Sequence, residues 1–262
     1  MKVNLIVSQS VKVSPRSVER LFVKRGIRIA RSGYDYTVII GGDGTFFDNA
    51  IRCRAKPILF VRKTGDVING ASIKHGLTAS VNFDQIGSAL TKIGNGAFRL
   101  VKEPILELAY NGRKYYSAGD FFVERGLVKQ ALRYHALIID GGERIDTYAI
   151  SNGFIVTTPI GSTGYYSYVD ILNARKPRGI SNGLGFAHIL PTKVVDTINS
   201  EATKYEIRRN VGPDAKITVN FERGAEQYLY GISGVKEGMR IRVGTPLAFR
   251  MGDEKLSVLR PL

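Results

Sequence analysis

Val38-Ile39-Ile40-Gly41-Gly42-Asp43-Gly44-Thr45-Phe46-Phe47 runs from an apolar segment, through three glycines around one carboxylate, into residues that can start a helix. The stretch predicts a buried strand that ends in a tight turn, with Thr45 or Asp43 near a helix N-cap. Glycines let a ligand approach the backbone closely, and the first amides of a helix form an anion site. Gly41, Gly42, Gly44 and Thr45 are therefore candidate phosphate-binding residues. Asp43 stands where it can deprotonate or orient a hydroxyl, or hold a metal beside a phosphate. The same residues also fit an ordinary β-to-α turn, since Asp-Gly is a common turn dipeptide.

The flanking chain has the matching rhythm. Val3–Val7 reads as a first strand, Ser14-Pro15 opens a helix to about Arg25, and Tyr36–Ile40 is the second strand. The helix after the glycines runs to about Arg54, Pro57–Val61 is a third strand, and Asp84–Ile93 another helix closed by Gly94-Asn95-Gly96. Alternating strands and helices predict a parallel, doubly wound, Rossmann-like α/β domain over residues 1–98. In such sheets ligands sit beyond the carboxyl ends of strands, where Gly41–Thr45 and Arg62-Lys63-Thr64-Gly65-Asp66 both fall. Arg62 and Lys63 join the phosphate-binding candidates.

Composition sets bounds. The 262 residues are 44% hydrophobic, enough for an extensive core in one large or two medium domains. No run approaches the roughly 18 apolar residues of a membrane span. Met1–Val7 is too short before Ser8-Gln9-Ser10 to read as a signal peptide. The lone Cys53 cannot form an internal disulfide and fits a reducing cytoplasm. With His75, His135 and His188 as the other soft ligands, no zinc spacing exists. A net charge of +15 favours anionic partners, yet Lys and Arg are spread in ones and twos as on a solvated basic surface.

From about Arg99 the pattern changes to strands and turns. Leu106–Tyr110 with Lys114–Ser117, and Ala136–Asp140 with Arg144–Ile150, read as hairpins, with Asp140 and Asp146 solvated beside the second turn. Phe154–Thr158 reads as a buried strand, and Lys216–Phe221, Glu226–Gly231, Met239–Val243 and Leu247–Met251 continue the theme. Residues 99–262 thus form a β-rich second domain, with the closing residues free to return to the first.

A second chemical stretch follows the Phe154 strand: Thr157-Thr158-Pro159-Ile160-Gly161-Ser162-Thr163-Gly164-Tyr165-Tyr166-Ser167. Its hydroxyls and loop amides suit hydrogen bonds to phosphate or ribose oxygens. They equally suit a turn capped by Ser162 or Thr163.

Together, GGDGT before an apolar helix and TTPIGSTGY after an Asn-Gly strand resemble the NAD kinase family, over most of the chain. That family pairs an α/β domain holding GGDGT with a β-rich domain holding a TPTGSTAY-like loop. Lipid kinases share the first element but not this form of the second. The resemblance implies transfer of the γ-phosphoryl of ATP, or of polyphosphate, to the 2′-hydroxyl of NAD, with Mg²⁺ or another divalent cation on the donor phosphates. Asp43 matches the family's catalytic aspartate, and no Walker A pattern is present. Thr158, Gly161, Ser162 and Thr163 match the nucleotide-binding loop. Asp120, Asn152, Gly164, Tyr165, Ser167 and His188 match or neighbour positions that meet the acceptor. The resemblance also implies a homodimer or homotetramer, while the lone cysteine points to the cytoplasm, the lack of a long apolar run to no membrane partner, and the scattered charge to no nucleic-acid partner.

Departures cluster on the acceptor side. Gly119-Asp120 stands where the family has Asn followed by an acid, and loss of a buried specific hydrogen bond costs roughly 1–3 kcal/mol. Asn152 replaces an Asp, Gly164 an Ala, and Tyr166 a Ser, with Ser167 one place further on. Phe60–Asp66 replaces a Gly-Asn-x-Gly-x-Leu-Gly-Phe run and adds two cations. One reading is a divergent NAD kinase in which Arg62 or Lys63 meets the dinucleotide pyrophosphate. A second is the same catalytic core acting on another hydroxyl, of a nucleoside, sugar or polyol. A third is a basic nucleotide- or nucleic-acid-binding protein without catalysis, using aromatics such as Tyr115, Tyr116, Phe121 and Phe122. Their alternation fits strand core packing better. Asp120 and Glu124 share one strand face, a spacing without catalytic meaning by itself.

Overall fold

The computed structural model describes the chain except residues 12–13, 64–66, 69–70, 73–79, 128–129, 177, 199–206, 224–226 and 236, and describes only the backbone of 67–68 and 71–72. Asp66 and His75 therefore lie outside the described residues. The chain divides into two units: Met1–Glu103 with Lys255–Leu262, and Pro104–Glu254.

The first unit contains β1 (Lys2–Val7), α1 (Pro15–Val23), β2 (Arg28–Ile29), β3 (Tyr36–Gly41), α2 (Asp43–Ala50), β4 (Ile58–Arg62), a small hairpin of β5 (Val67–Ile68) and β6 (Ala71–Ser72), β7 (Val81–Asn82) and α3 (Ile86–Gly94). β2, β1, β3 and β4 pair in parallel in that order, and β7 adds to β4. The chain's closing segment returns here: Val258 pairs in parallel with Ile58, and the Leu262 amide donates to the Ala97 carbonyl. Val38, Ile39, Ile40, Leu59, Phe60 and Val61 are buried, as continuous apolar strands covered on both faces must be. Ser14 caps α1 by accepting from the Ser17 amide, Pro15 starts the helix, and Val18 and Phe22 face the core.

Two helix boundaries differ from the expectation. The N-cap of α2 is Gly42, with no side-chain cap bond, so Asp43 is the first helical residue rather than the cap. Regular helix ends at Ala50, where the Cys53 amide is shared between the Asn49 and Ala50 carbonyls and the chain loosens into turns. α3 is entered through a 3-10 turn, Phe83–Gln85, closed by a reciprocal Asn82–Gln85 capping box.

The second unit is a sandwich built from β8 (Phe98–Tyr110, from Pro104), β9 (Arg113–Ser117), β10 (Asp120–Arg125), β11 (Leu132–Asp140), β12 (Glu143–Ser151), β13 (Gly153–Thr157), α4 (Tyr168–Leu172), β14 (Leu184–Ile189), β15 (Lys193–Asp196), β16 (Arg208–Val211), β17 (Lys216–Arg223), β18 (Gln227–Tyr230), β19 (Met239–Ile241) and β20 (Leu247–Pro261, to Glu254). One antiparallel sheet runs β15-β12-β11-β17-β20, and the other runs β16-β14-β13-β10-β18-β19. Tyr134, Phe221 and Phe249 from the first sheet interlock with Phe121, Phe154 and Phe186 from the second. The tight turns behave as their residues predict: Asn111 and Gly112 both take positive φ, as do Gly141 and Gly142.

Asp140 and Asp146 are less solvated than the hairpin reading suggests. Asp140 Oδ2 accepts from the Gly212 amide at 2.9 Å, tying the hairpin to the turn that follows β16. The part-buried Asp146 lies 3.7 Å from His135 Nδ1 and 3.9 Å from Arg144.

His188 sits in the core of this unit at 2% exposure, its Nδ1 2.7 Å from the Tyr134 hydroxyl. Ser151 Oγ donates to the Gly153 carbonyl at 2.7 Å, which completes a buried polar chain. Burial pushes the His188 pKa down to about 4, so the imidazole is neutral at pH 7. Its role is structural here: a histidine in the apolar sandwich needs a partner, and Tyr134 supplies one.

Two outcomes follow from this packing. A Cβ on Gly153 would drive into the Val123 carbonyl across the β10–β13 pair, so Gly153→Ala is expected to lower the denaturant midpoint by an amount equivalent to about 3 kcal/mol or more. For His188, the unfolded chain takes up a proton below about 6.5 whereas the folded state resists until about 4. Stability therefore falls as pH drops through that window, by roughly 3 kcal/mol at full extent. Urea midpoints measured against pH should show this slope in the wild type and a flatter one in His188→Gln.

Candidate functional site

Three parallel strands deliver the chemistry of the first unit. Gly41 pairs with Arg62 and Val7 with Ile40, so the carboxyl ends of β1, β3 and β4 lie side by side. The ladder continues beyond them: the Lys63 amide donates to the Gly41 carbonyl at 3.0 Å, and the Ser8 amide to the Ile40 carbonyl at 2.9 Å. Glycine turn, Arg62-Lys63 and Ser8–Ser10 are thereby gathered at one sheet edge. Asp43 Oδ2 stands 3.8 Å from Arg62 Nη2, and Lys63 Nζ donates to Ser10 Oγ at 3.5 Å. Ser10 Oγ in turn meets Ser8 Oγ at 2.9 Å.

The glycines divide by role. A Cβ at Gly41 would lie 2.6 Å from Thr45 Oγ1, so Thr45 occupies the space that this glycine vacates. At Gly42 and Gly44 an added Cβ meets nothing within 4 Å, which leaves bare backbone facing open space at the helix start. Open amides at a helix N-terminus, flanked by two cations, suit an anion, and Asp43 beside them suits a hydroxyl proton. Ser8 and Ser10 escaped the sequence reading. The available signal was a pair of hydroxyls directly after the first strand, at the end where α/β sheets bind ligands.

In the second unit the Thr157–Ser167 loop spends its Thr157, Thr158, Ser162 and Ser167 hydroxyls on its own backbone and on the adjoining Ala118-Gly119 segment. Thr158 Oγ1 donates toward the Ala118 and Gly119 carbonyls, both at 3.0 Å, and the Thr158 amide reaches Gly119 O at 2.9 Å. Gly161 packs against the same peptide, since a Cβ there would come within 2.7 Å of the Gly119 carbonyl carbon. Ser162 is fully buried; it donates to Pro159 O at 2.7 Å and accepts from the Ile180 amide at 2.9 Å. Ser167 Oγ is buried too, bonding Gly164 O at 2.8 Å. The 3-10 turn Tyr165–Ser167 has Gly164 as its N-cap with no side-chain cap, so neither Ser162 nor Thr163 caps it. Thr158, Gly161, Ser162 and Ser167 shape the loop, while Thr163, Gly164 and Tyr165 stay at least part-exposed.

Tyr165 extends this loop onto the β10 face. Its hydroxyl donates to Glu124 Oε1 at 2.7 Å, and its ring meets Phe122 edge-on at 5.4 Å. Phe122 in turn stacks on Tyr230 with centroids 5.0 Å apart. Burial and the Glu124 carboxylate together raise the Tyr165 pKa, keeping the phenol protonated. Asp120, Phe122 and Glu124 alternate onto one face, and burial pushes the part-exposed Asp120 carboxyl up to about 7. Asn152 serves as a backbone clamp, its amide donating to Ile189 O at 2.9 Å and its carbonyl accepting from Arg125 at 3.1 Å.

Among the described residues no three His, Cys, Asp or Glu side chains cluster to hold a metal, and no helix is long and apolar enough to cross a membrane. A divalent cation carried on nucleotide phosphates needs only one or two protein carboxylates, a requirement that Asp43 fits.

No protein-family model matches the chain. An NAD kinase of Saccharolobus islandicus is 23% identical over 248 residues, covering 93% of this chain and 86% of that protein. An NAD kinase of Gemmatimonas aurantiaca is 26% identical over 239 residues, covering 86% and 72%. One from Thermoplasma acidophilum is 28% identical over 143 residues, covering 55% and 48%. Among solved structures, yeast NADH kinase complexed with NADH superposes with a TM-score of 0.75 at 13% identity, over 100% of this chain and 84% of that one. An NAD kinase from Archaeoglobus fulgidus in complex with ATP gives 0.70 at 16% identity, over 100% and 94%. GGDGT stands at the end of a parallel strand and TTPIGSTGY on a β sandwich, and along most of its length the chain is similar to proteins named NAD kinase.

Proposed function

We propose that the protein transfers the γ-phosphoryl group of ATP to the 2′-hydroxyl of the NAD adenosine ribose. The observation that carries this reading is the arrangement at the carboxyl ends of the strands: bare Gly42 and Gly44 backbone, one cation ending β4 and the next just after it, and Asp43 3.8 Å from Arg62. Phosphoryl transfer demands mainly positioning and charge neutralisation, which these groups supply. Asp43 takes the proton of the attacking hydroxyl as its oxygen bonds to phosphorus, and ADP leaves with the electrons of the broken P–O bond. Arg62 lies 3.8 Å from the Asp43 carboxylate and orients it, and Lys63 meets phosphate oxygens. Mg²⁺ bound to the donor phosphates neutralises their charge.

On the acceptor side, Thr163, Tyr165 and Asp120 are the residues we assign to the dinucleotide, Tyr165 through its ring and Asp120 through ribose hydroxyls. Gly119 cannot offer the amide that the family uses at its position, and its carbonyl is taken up by Thr158. That is the observation favouring a second reading, in which another alcohol is the acceptor. A homo-oligomer in the cytoplasm, and polyphosphate as an alternative donor, extend the proposal by family likeness.

Purified protein with ATP, Mg²⁺ and NAD is expected to form NADP, and Asp43→Asn to lower kcat by about 10²–10⁴, the usual contribution of a general base. ATP consumption with other alcohols but no NADP would transfer the proposal to the second reading, and no phosphoryl transfer at all would refute both. Lys63→Ala, which removes one charge-assisted phosphate contact, should raise the KM for ATP about tenfold or more in the same assay.

A further inference from the structure

A second concentration of positive charge lies in the sandwich unit, at the open edge of the sheet that begins with β16. A pocket of about 590 Å³ there is lined by Arg178, Gly179, Arg208, Arg209 and Asn210. This volume is in the range of small-molecule sites.

One buried carboxylate organises the pocket wall. Asp170, 3% exposed, accepts from Arg208 Nη1 at 2.8 Å and Nη2 at 3.1 Å, a bidentate pair. It also accepts from the Arg178 backbone amide at 2.9 Å, which pins the 178–179 segment beside β16. The Arg208 guanidinium lies 5.3 Å over the Tyr166 ring, and the Tyr166 hydroxyl donates to Asn210 Oδ1 at 2.7 Å, so the Asn210 amide group keeps its donors for another partner. The Arg178 guanidinium, by contrast, reaches Asp170 only at 3.8 Å and remains 66% exposed. Arg209 meets the exposed Glu143 at 3.5 Å. The Arg178 and Arg208 guanidinium groups against the single Asp170 carboxylate leave an excess of positive charge, and the exposed Arg175 and Lys176 add to it.

We propose that this pocket, lined by residues of the second unit alone, is an anion site that takes a multiply charged phosphate chain without needing Arg62 or Lys63. The chain belongs either to a nucleotide or to inorganic polyphosphate. Arg178 is the principal contact, with Arg208 and Asn210 forming a preorganised floor, since Asp170 and Tyr166 already hold both in place. Bidentate recognition of phosphate by arginine is the chemistry that such a wall supports.

Titration calorimetry with sodium tripolyphosphate tests this on three full-length proteins: wild type, Arg178→Ala, and the double variant Arg62→Ala/Lys63→Ala. Arg178 is chosen over Arg208 because removing Arg208 would strand the buried Asp170, whereas the Arg178 amide that supports Asp170 survives the substitution. Two binding events are expected in the wild type. Arg178→Ala should weaken one of them at least tenfold and leave the other and the turnover number unchanged, and the double variant should retain the Arg178-dependent event. Competition by ATP at that event would assign the site to nucleotides, and lack of competition would assign it to inorganic phosphate chains. An isotherm unaltered by Arg178→Ala, or loss of all binding in the double variant, would overturn the proposal.

Discussion

The parallel pairing of β3 with β4 is the constraint on which the proposed phosphate chemistry rests. Because Gly41 stands opposite Arg62, and the Lys63 amide closes onto the Gly41 carbonyl, two cations arrive beside a glycine turn from a strand about twenty residues further on. No local propensity could bring them there. The same register leaves Asp43 on the first turn of α2 beside Arg62, so its charge is both balanced and directed. Thr45 fills the hollow at Gly41, which keeps the turn rigid while Gly42 and Gly44 remain bare. One close-packed glycine and two open ones thus serve different ends within four residues.

In the sandwich unit the comparable constraint is the Gly119 peptide. Its carbonyl accepts from the amide and hydroxyl of Thr158, and Gly161 lies flat against it. Threonines and serines that suggest a ligand loop are consumed in holding that loop's shape, because buried hydroxyls without partners are costly. What the loop presents outward is a smaller set, Thr163, Gly164 and Tyr165, steadied by Glu124 and Phe122. Gly119 and Asn152 both contribute backbone hydrogen bonds between strands, contacts that do not depend on the side chain at either position.

Aromatic packing explains how a basic chain of this kind sustains a large β core. Phe154 contacts Tyr134, Phe186, Phe221 and Phe249 at centroid distances of 5.3–6.2 Å, bridging the two sheets. Each such ring contributes its buried area, and pairs such as the edge-on Phe154–Phe249 and the stacked Phe154–Phe186 add a modest aromatic term. The charges are kept at the periphery, apart from a few organised carboxylates. Asp170 with Arg208, and Glu107 with Arg250 at 2.9 Å, are the part-buried pairs where geometry is good enough to offset desolvation.

The sequence by itself determined the alternation of the first unit, the strand-rich second half, the glycine turn with its aspartate, and the hairpins at Asn111-Gly112 and Gly141-Gly142. These are matters of period and turn chemistry, written within ten or so residues. Family likeness extended that reading to an activity, through two motifs a hundred residues apart. Only the tertiary structure decided which of the named side chains remain available. It placed His188 against Tyr134 in the core, turned Ser162 and Ser167 inward, added Ser8 and Ser10 to the Lys63 cluster, and assembled Arg178, Arg208 and Asn210 around Asp170. The physical reason is common to all of them. Whether a polar group faces solvent or a neighbour depends on strand register and sheet order, and those are fixed by contacts between segments distant in the chain.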